Sequence, residues 1–130
     1  MFITRETDYA IRIVRNLSHD NVKSIAEIID KEYIPNAMAY KVARLLNKAG
    51  ILKSKSGVNG GYYLSKPLEE TTLYDIYVAM NKNPSINECL NKPDSCPINN
   101  KRGCGVHREL ARVQEILFEE LKKTPISKMI

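Results

Sequence analysis

The stretch CLNKPDSCPINNKRGCGVH, from Cys89 to His107, contains all three cysteines of the 130-residue chain and one of its two histidines. Thiolate and imidazole are metal donors and thiols are redox-active, so this concentration points to metal or thiol chemistry. Cys89 and Cys96 are separated by six residues, Cys96 and Cys104 by seven. Structural zinc sites usually place paired ligands about two to four residues apart, which these gaps do not satisfy. An iron–sulfur cluster is wide enough to accept thiolates spread this far. Pro93, Pro97, Gly103 and Gly105 let the chain bend around such a centre without helix or strand. His107, opening the last predicted helix, is a fourth ligand or a solvated first-turn residue.

An odd cysteine count does not close a disulfide framework. The N-terminus MFITRETDYAIR meets charge at once, so it does not read as a signal peptide. No apolar run approaches the roughly 20 residues needed to span a bilayer. These features predict a cytoplasmic chain with reduced thiols and no membrane partner. A hydrophobic content of 43% supports a packed core in one domain, or in a small domain with an appendage.

The elements that must position the loop are mainly helical. Over residues 7–18, Tyr9, Ala10, Ile13, Val14 and Leu17 recur at helical spacing. A second helix opens at Ser24-Ile-Ala-Glu27, a capping box, and buries Ile25, Ile28 and Ile29. A third starts near Pro35, carries Ala39, Val42, Ala43 and Leu46 inward, and stops at Gly50. The short connection between the second and third predicts a helix-turn-helix. Residues 51–55 and 62–65 read as strands, with Asn59-Gly60 supplying the positive φ angles of a tight turn. The first half is therefore a winged helix.

Thr72-Leu-Tyr-Asp75 caps a fourth helix burying Leu73, Ile76, Tyr77 and Met80 and ending at Asn83-Pro84. Loop signals continue to about Arg102. The last helix, 107–123, aligns Val106, Leu110, Val113, Leu117 and Leu121, with Ile116 and Phe118 widening the apolar face. Such a helix predicts a homodimer, since a twofold protein matches a palindromic site. The fold class expected is mainly α with a small β-hairpin wing and a long C-terminal dimerisation helix. The expected division is a winged helix-turn-helix DNA-binding domain over residues 1–66, whose partner rests on its charge, and a cysteine-loop sensor and dimerisation region over 67–130.

Charge supplies the partner. The net charge is +5, and residues 1–66 hold eleven Lys/Arg against six Asp/Glu. No acidic residue occurs from Tyr33 to Leu68, where Lys41, Arg44, Lys48, Lys53, Lys55 and Lys66 all fall. A stretch of one sign predicts a polyanion partner. On the outer face of the third helix, Ala37, Tyr40, Lys41 and Arg44 stand at i, i+3, i+4 and i+7. Arg and Lys reach guanine edges or phosphates in the major groove; Tyr40 contacts phosphate or a thymine methyl, or packs partly inward. Lys53 and Lys55 on the wing meet the neighbouring backbone or minor groove.

Catalysis is not predicted. The chain has no Cys-x-x-Cys, no Ser/His/Asp set and no paired-carboxylate signature. Gly57, Gly60 and Gly61 precede a strand, whereas a phosphate-binding loop precedes a helix. His19 lies in a polar connection and reads as solvated.

With wing and cysteine loop together, the chain resembles the winged-helix iron–sulfur regulators typified by the iron–sulfur-assembly repressor and the nitric-oxide-sensing repressor. The resemblance covers nearly the whole chain and rests on TRETDYAIR, AGILKSKSGVNGGYYLSKP, CLNKPDSCPINNKRGC and the closing TPIS. It implies a cytosolic homodimeric repressor in which Cys89, Cys96 and Cys104 hold a [2Fe–2S] or [4Fe–4S] cluster that alters operator affinity. A DNA-binding regulator that uses the cysteines as thiol switches, or binds zinc, is the alternative. The sequence departs from the family in its wider cysteine gaps and at Ser56, where many members carry a minor-groove arginine. Two residues compete for the fourth ligand: His107, matching the assembly-regulator branch, and Asp8, matching the nitric-oxide-sensing branch. The expectation leans to Asp8 with a [4Fe–4S] centre.

Overall fold

The computed structural model describes residues 2–98 and 103–130. Thr4 caps the first helix, α1 (Arg5–Val14), by accepting from the Thr7 amide at 3.2 Å. The helix ends earlier than its apolar pattern predicts. Asn16 turns its side-chain amide onto the Arg12 carbonyl at 2.8 Å and competes with the backbone ladder. Leu17 is nevertheless buried, carried by the turn that follows.

Helix α2 (Ile25–Glu32) starts as expected, with the Ser24 amide donating to Glu27 Oε2 at 2.9 Å. It ends on Tyr33, in the left-handed region at φ 54°, ψ 44°. For a residue with a Cβ that conformation costs about 1–2 kcal/mol. The turn leads directly into α3 (Asn36–Lys48), which ends before Gly50 at φ 83°.

The wing pairs β1 (Leu52–Lys55) with β2 (Gly61–Leu64), in register from Leu52 opposite Leu64 to Lys55 opposite Gly61. Its loop is longer than the tight turn expected. Asn59 and Gly60 do not take positive φ; Gly57 does, at 105°, and the Gly60 amide closes the loop on the Gly57 carbonyl at 3.0 Å. Lys23 adds a third, strand-like edge. Its amide and carbonyl both bond Tyr62 at 2.9 Å. Gly61 permits this approach, since a Cβ there would stand 2.3 Å from the Lys23 carbonyl oxygen.

Helix α4 (Leu73–Met80) opens on the Thr72–Asp75 capping box and ends with Asn81 donating to the Tyr77 carbonyl at 2.7 Å. The region expected to be loop contains α5 (Glu88–Asn91) and a 3₁₀ turn, Pro93–Ser95. Its last part, residues 99–102, lies outside the described residues. Helix α6 (Gly105–Lys123) follows, with Cys104 at its N-cap, and a 3₁₀ turn at Ile126–Met129 closes the chain. One core gathers Ala10, Ile13 and Val14 of α1, Ile28 of α2, Val42 and Leu46 of α3, and Leu52 and Leu64 of the wing. Ile76 of α4 and Ile126 join it. The closing segment is pinned there by the Ile126 amide on the Thr71 carbonyl at 2.8 Å.

Candidate nucleic-acid interface and cysteine loop

The inward face of α3 is fully buried at Ala39, Val42, Ala43 and Leu46, so the outward face is set by geometry alone. Ala37, Tyr40, Lys41 and Arg44 are all exposed on it, Tyr40 by 45%. Its side chain is thus partly covered and partly open to a partner. Lys53, Lys55 and Ser56 are exposed on the wing. Among the described residues, Lys41 is the one member of this set in an ion pair: its Nζ donates to Glu6 Oε1 of α1 at 2.5 Å.

A buried carboxylate ties the helix-turn-helix to α1. Glu32, at the end of α2, is 7% exposed and accepts from Arg15 of α1 through both oxygens, at 2.9 Å from Nε to Oε1. The Asn16 side-chain amide also donates to it, and Arg12 Nη1 donates to the Glu32 carbonyl at 3.3 Å. Arg15's hydrogen bonds hold the carboxyl below its ordinary pKa despite opposing desolvation. These bonds tie α2 to α1 immediately before the turn into α3. Sequence reasoning missed this network. The signal was Arg12, Arg15 and Asn16 on one helix with an acid closing the next.

Each cysteine is free and half-buried. Cys89 sits in α5, whose Asn91 side chain donates to the Asn83 carbonyl at 3.0 Å and the Ser85 hydroxyl at 2.7 Å. Cys96 follows the 3₁₀ turn, and Cys104 caps α6. Gln114 of α6 accepts from the Ile86 amide at 2.9 Å, fastening the start of the loop to the long helix. His107 Nδ1 is buried without a hydrogen-bond partner among the described residues. Asp8 is engaged by Arg12 one turn along α1, at 2.8 Å. Among the described residues, no three His, Cys, Asp or Glu side chains stand close enough together to hold a metal ion. The donor types nevertheless suit an iron–sulfur centre: three free thiols and, three residues along the chain from Cys104, an unpartnered buried ring nitrogen. His19 is exposed, as expected of a solvated residue, and its Nδ1 also bonds the Leu64 carbonyl at 3.0 Å.

The last helix divides its apolar face. Phe118 packs on Tyr74 and Tyr77 of α4, at ring-centroid distances of 5.3 and 5.8 Å. Val106, Val113 and Ile116 stay exposed, and no residue of α6 is fully buried within one chain. Among the described residues, no helix is long and apolar enough to cross a membrane.

A helix-turn-helix with an outward basic face, followed by a hairpin wing that exposes Lys53 and Lys55, defines a winged-helix DNA-binding protein. The Rrf2 family, described as an iron-dependent transcriptional regulator, matches residues 3–130, and the chain belongs to it. It is similar to the HTH-type transcriptional regulator NsrR of Shouchella clausii, 29% identical over 103 residues covering 76% of this chain and 69% of that one. Among solved structures it superposes on CymR (YrzC), the global cysteine regulator of B. subtilis. There the TM-score is 0.76 at 22% identity, over 99% of this chain and 95% of the other. It also superposes on T. potens IscR with a TM-score of 0.71 at 16% identity, covering 99% and 88%. The protein is thus a DNA-binding transcription regulator and not an enzyme.

Proposed function

We propose that this regulator is a homodimer whose operator affinity follows occupancy of an iron–sulfur centre held by Cys89, Cys96 and Cys104. The observation that carries the reading is the pairing of three free thiols with the orphaned Nδ1 of His107, three residues beyond Cys104. His107 is therefore the favoured fourth donor. Asp8, already paired to Arg12, is the competitor. A bound cluster would supply an iron- and redox-sensitive crosslink among these side chains.

The chain's own parts relay that crosslink. Gathering the thiols closes the loop against α6, because Cys104 is that helix's N-cap. Helix α6 leans on α4 through Phe118, and α4 packs against both α1 and α3. A shift of α6 thereby moves the reading head relative to its twin, and half-sites one helical turn apart are sensitive to that spacing. Exposed Val106, Val113 and Ile116 support pairing of α6 with a second copy. Ala37, Tyr40, Lys41 and Arg44 would read the major groove, with Lys53, Lys55 and Ser56 against the flanking backbone.

The test is anaerobic purification followed by iron and sulfide analysis and visible spectroscopy. Stoichiometric iron and sulfide, lost in Cys96→Ser, is the expected result. His107→Ala should shorten cluster lifetime more than Asp8→Ala, and the spectrum decides between [4Fe–4S] and [2Fe–2S]. A colourless, iron-free product after anaerobic reconstitution overturns the reading in favour of a thiol switch.

A further inference from the structure

Two helices of the reading head end on a left-handed residue. Helix α3 uses Gly50, whereas α2 uses Tyr33, the only non-glycine with positive φ among the described residues. The Tyr33 and Ile34 amides both close onto the Ile29 carbonyl, a turn ordinarily completed by glycine because it has no Cβ. The tyrosine ring returns nothing to the fold. It is 89% exposed, between buried Glu32 and buried Ile34. A side chain that strains its backbone and packs on nothing within the chain is explained by a contact outside it.

Its position indicates the contact. Tyr33 stands three residues before Asn36, where the reading helix begins. Such helices approach base edges through their N-terminal residues, which sets the preceding turn beside the phosphate strand bordering the groove. On the N-terminal side Glu32 is buried and paired to Arg15, leaving Asp30 exposed. On the other side no acidic residue follows until beyond Leu68, and exposed Lys41 and Arg44 lie on the helix that begins at Asn36, which favours a polyanion over an acidic or neutral protein surface. A phenol there is a neutral O–H donor on a flat apolar ring, suited to a phosphate oxygen and the adjoining sugar. Resting on the operator-binding reading, we propose that Tyr33 is a DNA-backbone contact whose hydroxyl donates to a phosphate flanking the reading helix.

The experiment compares wild type, Tyr33→Gly and Tyr33→Phe by fluorescence anisotropy and thermal unfolding. The probes are the tightest duplex recovered by the wild type from a random-sequence pool, and a scrambled duplex of equal length. Tyr33→Gly should melt higher, because the turn is relieved, yet bind both duplexes roughly 5–20-fold more weakly. Tyr33→Phe should lose roughly 3–10-fold on both, the share of one hydrogen bond to a charged acceptor. Neither should change the salt slope, since no cation is lost, whereas Lys53→Ala should lower it by about one. Wild-type affinity in either Tyr33 variant overturns the proposal, as does a loss confined to the selected duplex, which marks a base contact. A wild type that recovers no duplex overturns the operator reading and this contact with it.

Discussion

Lys41, at the centre of the reading helix, donates to Glu6 of α1 across 2.5 Å. Both side chains are substantially exposed, 52% and 36%, so the pair adds at most about 1 kcal/mol to stability. Its consequence is for the proposed DNA contact: a carboxylate borders the proposed reading face and holds one of its cations. Glu6→Gln should leave the melting temperature nearly unchanged while tightening DNA binding severalfold at low salt. Anisotropy titrations across a salt series measure this; weaker binding would show that Glu6 aligns Lys41 for the groove.

Arg44→Ala and Lys41→Ala test the reading face itself. Each should weaken the selected duplex by roughly 1–3 kcal/mol if the residue makes a bidentate base contact, with a smaller loss on scrambled DNA.

Glu32 gives the fold a pH dependence. Its carboxyl is held below the ordinary value by Arg15's hydrogen bonds, so the stabilisation is complete above the unfolded pKa and lost as pH falls through the lowered folded one. Glu32→Gln should cost about 1–3 kcal/mol near neutrality. In chemical denaturation, that difference should hold down to about pH 5 and shrink below about pH 4.3, the ordinary glutamate value. A difference that grows on acidification would reverse the assignment.

Much of this was legible in the sequence, and what was missed follows a physical pattern. The capping boxes at Ser24 and Thr72, the Gly50 stop and the stripe of α3 depend on neighbours within a few residues, so their spacing reveals them. The Glu32 network depends on residues of two helices meeting, which local patterns do not encode. The wing loop illustrates a subtler failure. Asn59-Gly60 has tight-turn chemistry, but docking of Tyr62 on Lys23 fixes where β2 begins and leaves five residues to close the loop. The exposure of the proposed DNA-reading face followed from helix geometry, and its basic character from charge. The cysteine loop's candidate donors were visible in the sequence, while the orphaned His107 nitrogen needed coordinates.

The wing docking makes its own prediction. A methyl at Gly61 would stand 2.3 Å from the Lys23 carbonyl oxygen, with backbone on every near side. Gly61→Ala should destabilise the fold by roughly 1–3 kcal/mol and displace the wing. Thermal unfolding and hydrogen exchange at Tyr62 report both effects; an unaltered melting temperature would mean the edge yields freely.

Val113 and Ile116 on α6 are exposed by 40% and 53% in the single chain. Replacing both with Glu should yield a folded monomer with weakened operator binding, read by sedimentation velocity and circular dichroism. A dimer surviving both changes would place the interface elsewhere.

The account's central claim is that the state of the cysteine loop sets operator affinity. The direct measurement is anaerobic anisotropy on the selected duplex with one preparation divided in two, half carrying its iron–sulfur centre and half stripped by chelation under reducing conditions. The two halves should differ in affinity by about 5–150-fold, the usual range for coupled sites. Cys104→Ser should abolish the difference. Equal affinity of the two halves, with the centre shown to be present in one, would contradict the claim.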